Sequence, residues 1–315
     1  MTRQLVWVPT MASLGPAVAA VGVFDGVHIG HQALIADAIA LARRDEVPAV
    51  IVTFDRDPDQ VVTPAAAAPQ LLDLADKLGL LAAAGADVVL VVPFTTDLSR
   101  MAPLAFLDEV LMAAMSPTAI VVGSDFRFGH RAEGDVRVLD RYGTSHGFST
   151  VAHALVEKDG TPVTSTRIRG LVTAGDVAGA RALLGRPHRV KGDVRRGRSR
   201  GSGLDAPTAN LAVSPFTALP ADGVYAGRVA IDGAIHAAAV SVGVPPTFPD
   251  ATDVLEAHVL DYSGNLYDLT LTLEFLSRIR PLERFDTPEA LARRIREDVV
   301  EVRRVAERQP RERRR

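Results

Sequence analysis

No cysteine occurs in the 315 residues. That excludes a disulfide framework, a thiolate-held zinc or iron–sulfur site, and a cysteine nucleophile. Any metal must then sit on oxygen, or on histidine and carboxylates. Neither sign of charge prevails: 35 Lys and Arg stand against 38 Asp and Glu, for a net −3. This argues against a polycationic nucleic-acid binder and against an acidic, unstructured chain. Long hydrophobic runs are also missing. Runs such as Val47–Phe54 are far short of the roughly 20 residues of a membrane span. The opening MTRQLVWVPTMASLGP lacks the charged and apolar regions of a signal peptide. These absences lead us to expect a cytoplasmic protein with no membrane or nucleic-acid partner.

The remaining composition, 47% hydrophobic and 23% charged, is that of ordinary globular chains. The length favours two domains of about 100–200 residues. In the first half, short β-branched runs end at Phe24, Phe54, Val92, Val122 and Val156. Helical patterns lie between them, at His31–Arg44, Gln70–Gly85 and Pro103–Met115. Near-continuous apolar strands alternating with helices predict a parallel sheet covered on both faces, with ligands beyond the strand C-termini. After about Gly185 the period changes. Alternating runs at Val224–Ile231, Ala234–Val242, Val254–Leu260 and Leu266–Phe275, split by turn signals, predict a small antiparallel barrel or sandwich. An amphipathic helix at about Thr287–Glu307, capped by Thr287, closes the pattern. The expected domains are residues 1–185 and 186–315.

The strongest local signal is Gly22-Val23-Phe24-Asp25-Gly26-Val27-His28-Ile29-Gly30-His31, at a strand-to-helix junction. A helix start offers free N–H groups and a positive dipole end to an anion. Two imidazoles there suit a phosphate that gains charge during transfer. A pair of structural histidines, or a metal pair, is the other reading of these residues alone. The chain has neither Gly-Lys-Ser/Thr nor Gly-x-Gly-x-x-Gly, so it is not a P-loop or a dinucleotide fingerprint. A second signal, Thr164-Ser165-Thr166-Arg167-Ile168-Arg169, brings three hydroxyls and two guanidiniums together. That set can clamp a phosphate or merely cap a surface helix. Gly143-Thr144-Ser145-His146-Gly147 matches a hydrolase nucleophile elbow. It has a helical stretch before it and a strand after it, the reverse of what the elbow needs.

Together the two signals resemble the nucleotidyltransferase superfamily marked by His-x-Gly-His and a distal Ser/Thr-rich element ending in Arg. The match extends to Phe54-Asp55 and Val121-Val122-Gly123-Ser124-Asp125-Phe126-Arg127-Phe128-Gly129. In the second half, Pro207-Thr208-Ala209-Asn210, Leu219–Tyr225, Leu255–Asp261 and Glu274–Pro281 follow in order. The chain thus resembles the prokaryotic bifunctional riboflavin kinase/FMN adenylyltransferase family from about Val18 to Val300.

The resemblance implies a Rossmann-like α/β parallel-sheet nucleotidyltransferase domain followed by an antiparallel β-barrel domain with a C-terminal helix. It implies ATP as co-substrate, Mg²⁺ as cofactor, and riboflavin, FMN and FAD as the small-molecule partners. In the first module it implies His28, His31 and Arg167 as catalytic donors. Gly22, Phe24, Asp25, Gly30, Asp125, Ser165 and Thr166 fall at its nucleotide site. Phe54, Phe106 and Phe128 are candidates to stack on the flavin ring, with plain core packing as the alternative. In the second module it implies Thr208 and Asn210 as metal ligands and Glu256 as the base. The segment Arg195–Gly203 is then expected to cover phosphates rather than bind nucleic acid.

The chain departs from the family pattern at three places. Asp205-Ala206 stands for Gly-Phe, Ser241-Val242-Gly243-Val244 for Asn-Ile-Gly-Thr, and Phe54-Asp55-Arg56-Asp57-Pro58 for Phe-Asp-Pro-His-Pro. These changes keep open a paralogue with an altered or weakened kinase half, acting on a modified flavin or deazaflavin. A non-catalytic flavin- or nucleotide-binding protein is the other alternative, against which the intact His28, His31, Arg167, Thr208, Asn210 and Glu256 argue.

Overall fold

The structure, a computed structural model, describes residues 2–195, 208–244, 247 and 254–308. Asp205 and Ala206, and the expected phosphate-covering segment from Arg196 to Gly203, lie outside the described residues. The chain divides into two compact units, Met1–Ser165 and Thr166–Arg315.

The first unit is built on a six-stranded sheet of β1 (Arg3–Val6), β2 (Pro16–Val21), β3 (Ala49–Phe54), β4 (Val88–Val92), β5 (Ser116–Gly123) and β8 (Ser149–His153). Its order is β1-β4-β3-β2-β5-β8, and every pairing is parallel. Two short ribbons accompany it: β6 (Arg127–Phe128) with β7 (Gly134–Asp135), and β9 (Glu157–Lys158) with β10 (Thr161–Pro162). Alternate residues of the central strands enter opposite cores. Val50, Val52, Leu90, Ile120 and Val122 face one side; Val18, Ala20, Ile51, Val89 and Val121 face the other. Helices α1 (Ile29–Arg44) and α3 (Leu74–Ala83) cover the second side through Leu34, Ile35, Ala38 and Leu81. Leu107, Val110 and Leu111, with Leu139 and Tyr142 of α6 (Val136–His146), cover the first. Single-turn helices α2 (Asp59–Val62), α4 (Thr96–Ser99) and α5 (Pro103–Phe106) fill the connections.

Three expectations change here. The helix expected at Pro103–Met115 is α5 followed by wider π-helical turns at Leu107–Met112. Either winding buries Leu107, Val110 and Leu111, so apolar spacing cannot separate them. The strand expected to reach Phe24 stops at Val21, because the chain turns into positive φ at Phe24. Edge strand β1 carries too few residues for a periodic signal.

In the second unit, β11 (His188–Arg195), β12 (Ala209–Ala212), β13 (Gly223–Ile231), β14 (Ala234–Val242), β15 (Leu255–Val259) and β16 (Thr270–Arg280) close into a barrel. Its order is β11-β12-β15-β14-β13-β16, antiparallel throughout, with β16 returning to pair β11. Closure removes free sheet edges. Tyr225, Val240, Leu255, Ala257, Leu273 and Phe275 fill the interior. Helix α9 (Pro288–Arg308) lies on the outside, where Val302 and Val299 meet Ala226, Ala237 and Ala239. Small residues at those three positions let the helix approach closely. The guanidinium of Arg280 grips Asp298 of α9 in a bidentate pair, with Nε–Oδ1 3.0 Å and Nη2–Oδ2 2.8 Å, and both groups are buried. Thr287 caps α9 by accepting from Ala290 N at 3.2 Å.

Strand β16 starts at Thr270 rather than Leu266. Asn265 accepts from Tyr267 N, and Asp268 sits at φ +66°, so the turn extends past the apolar Leu266. Helices α7 (Ser165–Thr173) and α8 (Val177–Leu184) precede the barrel strands. The compact units part within the first turn of α7, earlier than the change of pattern near Gly185, because Val177 packs into the barrel core.

Candidate functional site

Strand order reverses direction about β2: the chain moves outward through β3 and β4, then returns to β5 on the other side. Parallel sheets open a crevice at such a point, beyond the strand C-termini. Three segments leave the sheet there. They are residues 22–28 after β2, Asp55–Pro58 after β3, and Ser124–Phe126 after β5.

The first of these carries strain. Phe24 has φ +55° and Val27 φ +38°, a region that bulky and β-branched residues rarely occupy, at a cost on the order of 1–3 kcal/mol each. Several contacts hold it. Phe24 is buried in the core and meets His31 edge-on, with centroids 5.2 Å apart. Asp25 is buried and its carboxylate accepts from Leu71 N at 3.0 Å, while its carbonyl accepts from Ser165 Oγ at 2.9 Å. Gln32 Nε2 donates to Val27 O at 2.8 Å. Phe24, Asp25 and Ser165 thus shape the loop, and Asp25 is already engaged by backbone.

The loop delivers His28 to the N-cap of α1, where its Nδ1 accepts from His31 N at 3.3 Å. The two imidazoles stack, with centroids 3.5 Å apart and planes 19° off parallel. Gly30 lies beside them. A Cβ there would come within 3.2 Å of the His28 ring, closer than ordinary packing allows. Gly22 is similar, for its Cβ would stand 3.0 Å from the Phe24 ring. Two aromatic bases at a helix start form a donor pair suited to a phosphate. Thr166, exposed, and Arg167, half-buried, follow Ser165 on α7 and belong to the second unit. Asp125 is exposed in the turn after β5.

The aromatic candidates form one group. Phe54, Phe106 and Phe128 are all buried in the core on one side of the sheet. Two half-buried rings that motif reading passed over pack on them: Phe94 meets Phe54 edge-on at 5.5 Å, and Phe126 stacks on Phe128 at 5.4 Å. Phe94 and Phe126 therefore offer more ring surface than the three expected residues. Phe126 was visible in its motif, two positions from Phe128.

Asp55 and Asp57 sit at the end of β3. Burial pushes the Asp55 carboxyl up, but the Arg56 guanidinium and the Phe94 N–H outweigh it and hold it below the usual range. Asp57 is buried. Between these carboxylates and the first loop stands Lys77 of α3, also buried and absent from any motif.

In the barrel, register rather than a loop gathers the candidates. Asn210 of β12 pairs with Glu256 of β15, which pairs with Ser241 of β14. Their neighbours Ala209, Leu211, Leu255, Ala257, Val240 and Val242 fill the interior, so alternation puts Asn210, Glu256 and Ser241 together on the outer face. Asn210 is 8% exposed, and its Oδ1 is buried with no hydrogen-bond partner among the described residues. An orphaned carbonyl oxygen of this kind fits a hard cation. Thr208, two residues back along the strand, is exposed. Ser241 stands in the sequence as a departure from the family pattern; its pairing with Glu256 comes from register. Among the described residues no group of three or more His, Asp or Glu is placed to hold a metal ion.

The FAD synthetase family pattern matches residues 10–167, and the riboflavin kinase pattern matches residues 184–306. A bifunctional riboflavin kinase/FMN adenylyltransferase of Pseudomonas fluorescens is 38% identical over 290 residues, covering 92% of this chain and 93% of that protein. Proteins of the same name from Listeria monocytogenes and Escherichia coli K12 are 32% and 31% identical, each covering 91% of both chains. Among solved structures, one described as a macrolide-efflux protein from Streptococcus pneumoniae superposes with a TM-score of 0.85 at 29% identity, covering 95% of this chain and 98% of that one. Among the described residues here, no helix is long and apolar enough to cross a membrane.

Proposed function

This chain belongs to the bifunctional riboflavin kinase/FMN adenylyltransferase family, and on that premise we propose how its residues divide the two reactions. The enzyme phosphorylates riboflavin to FMN and adenylylates FMN to FAD, with ATP as co-substrate in both. The observation that carries our division is that each compact unit holds its own constellation: the stacked His28–His31 pair in one, the Asn210–Glu256 register in the other.

For adenylyl transfer, a phosphate oxygen of FMN attacks the α-phosphorus of ATP and pyrophosphate leaves. Negative charge grows on the phosphoryl oxygens. His28 and His31 donate to them, aided by the backbone N–H groups that open α1. Gly30 leaves room for phosphate against the helix start, and Gly22 lets the loop fold back on Phe24. Ser165 supplies a hydroxyl of the kind that phosphate oxygens accept, and the next residues of α7, Thr166 and Arg167, carry a hydroxyl and a guanidinium of the same kind. Asp125 lies near the nucleotide after β5. The flavin ring packs against the group of Phe54, Phe106 and Phe128 through Phe94 and Phe126.

For phosphorylation, a ribityl hydroxyl of riboflavin attacks the γ-phosphorus and ADP leaves. Glu256 orients that hydroxyl and takes its proton. Mg²⁺, when bound, neutralises charge on the phosphates. The orphaned Asn210 Oδ1 supports this role, with the Thr208 hydroxyl as second ligand. The sharpest test incubates the protein with ATP and Mg²⁺, giving riboflavin in one arm and FMN in the other, for the native chain, His28→Ala and Glu256→Gln. Each substitution should silence one product only. Parallel loss of both products in either variant would overturn the division.

A further inference from the structure

Lys77 is 3% exposed, yet its side chain ends in an ionisable amine. Its Nζ donates to Phe54 O at 2.8 Å and to Val23 O at 3.2 Å. These carbonyls belong to different segments. Phe54 is the last residue of β3, and Val23 lies in the strained loop that ends at His28. Thr53 Oγ1 donates to the same Val23 carbonyl at 3.0 Å, so β3 holds that point of the loop as well. Burial lowers the pKa of Lys77, and the carboxylates of Asp57, Asp25 and Asp55 oppose it. Asp57, which departs from the family pattern, is the strongest of these three influences. A buried ammonium is costly unless hydrogen-bonded and compensated, and here it is both.

We propose that Lys77 is a positioning residue for adenylyl transfer: its ammonium ties the loop bearing His28 to the end of β3 and so sets the aim of the His28–His31 pair. Phe24 and Val27 are held at positive φ in the same loop. A loop strained in this way relaxes when a tie is cut, and a shift of about 1 Å at a reacting group can cost on the order of 100-fold in rate. The binding of ground-state ATP and FMN involves many other contacts and is less sensitive to that shift.

The proposal rests on the catalytic reading of His28 and His31, and the test separates the two. In the full-length enzyme with ATP and Mg²⁺, FAD formation from FMN is measured for Lys77→Met, Lys77→Gln, Thr53→Val and His28→Ala. Riboflavin phosphorylation and thermal melting are followed for each. Lys77→Met should lower kcat for FAD formation by roughly 10–100-fold while KM for FMN and ATP and the rate of FMN formation hold. Lys77→Gln, whose amide still reaches one carbonyl, should recover part of the rate. Thr53→Val, which cuts the other tie, should give a smaller loss in kcat alone. Should Lys77→Met not fold, the Gln and Val variants decide. Unchanged kcat in a folded Lys77 variant overturns the proposal, as does a loss in which KM, FMN formation and melting temperature all move together. If His28→Ala still makes FAD at the native rate, the reading beneath the proposal fails, whatever Lys77 does.

Discussion

The two units gather their candidate polar groups in opposite ways. The parallel sheet is buried on both faces, so its strands have no surface for chemistry. The candidate groups lie in the segments beyond the strand ends, where backbone is strained at Phe24 and Val27 and tied down by Asp25, Gln32 and Lys77. The barrel needs no such loop. Its strands have an inner face filled by Tyr225, Leu273 and Phe275 and an outer face on which Asn210, Glu256 and Ser241 meet by register. A parallel sheet makes a site from contiguous residues held in unusual conformations; an antiparallel barrel makes one from distant residues held in ordinary ones.

That contrast can be broken at either end. The largest effect is expected at Glu256. Removing a positioned base costs about 10²–10⁴-fold, so Glu256→Gln should lower FMN formation by that factor, while FAD formation from supplied FMN holds. Product analysis by chromatography reads both. Next comes His28→Ala, which removes a donor worth roughly 2.7–4 kcal/mol and should cut FAD formation by 10²–10³-fold with riboflavin phosphorylation intact.

The third effect concerns stability. His188 is fully buried inside the barrel, its Nε2 donating to Ala218 O at 2.8 Å, and burial pushes its pKa down to about 4. The folded state keeps this ring neutral while the unfolded chain takes a proton near pH 6.5. Its contribution is therefore complete above pH 6.5 and is lost as pH falls towards 4, by on the order of 3 kcal/mol. The hydrogen-exchange protection factors of β11 and β16 amides, taken relative to the intrinsic rate at each pH, should fall over that window, and should fall less in His188→Asn. Equal slopes in the two proteins would show that His188 is not the responsible group. The smallest effect belongs to Asn210→Asp. A charge beside the proposed Mg²⁺ site should shift the Mg²⁺ dependence of FMN formation by about tenfold, or 1.4 kcal/mol, before it alters melting. A drop in melting temperature with the Mg²⁺ response unmoved would make Asn210 a structural group.

The same contrast explains what could be read from the chain beforehand. The α/β pattern, the change of period near Gly185 and the His28–His31 motif are local, and each is visible in consecutive residues. Family resemblance supplied Asn210 and Glu256; nothing in their spacing pairs them, because register across β12 and β15 is set by barrel closure. The place of Ser241 beside them was hidden for the same reason, although the residue itself stands out as a departure from the family pattern. Lys77 was hidden differently: it acts on backbone carbonyls, and a carbonyl carries no side-chain signature. Phe24 and Asp25 fall at the proposed nucleotide site through a motif, and their burial beneath the loop shows only in three dimensions. The boundary of β16 shifted because turn chemistry at Asn265 and Asp268 overrode the apolar Leu266.

The return of β16 to β11 has a consequence in time. In a chain made from the N-terminus, the six-stranded sheet has all its strands once His153 has emerged, whereas the barrel lacks its closing strand until Arg280. At synthesis rates of roughly 5–20 residues per second the interval lasts about 6–25 seconds. Within it, once made, β11 and β13 each wait for the same absent neighbour, with open edges that attract other strands. The order in which the two units mature is thus the reverse of the order in which their reactions run, for the unit that consumes FMN has its strands first.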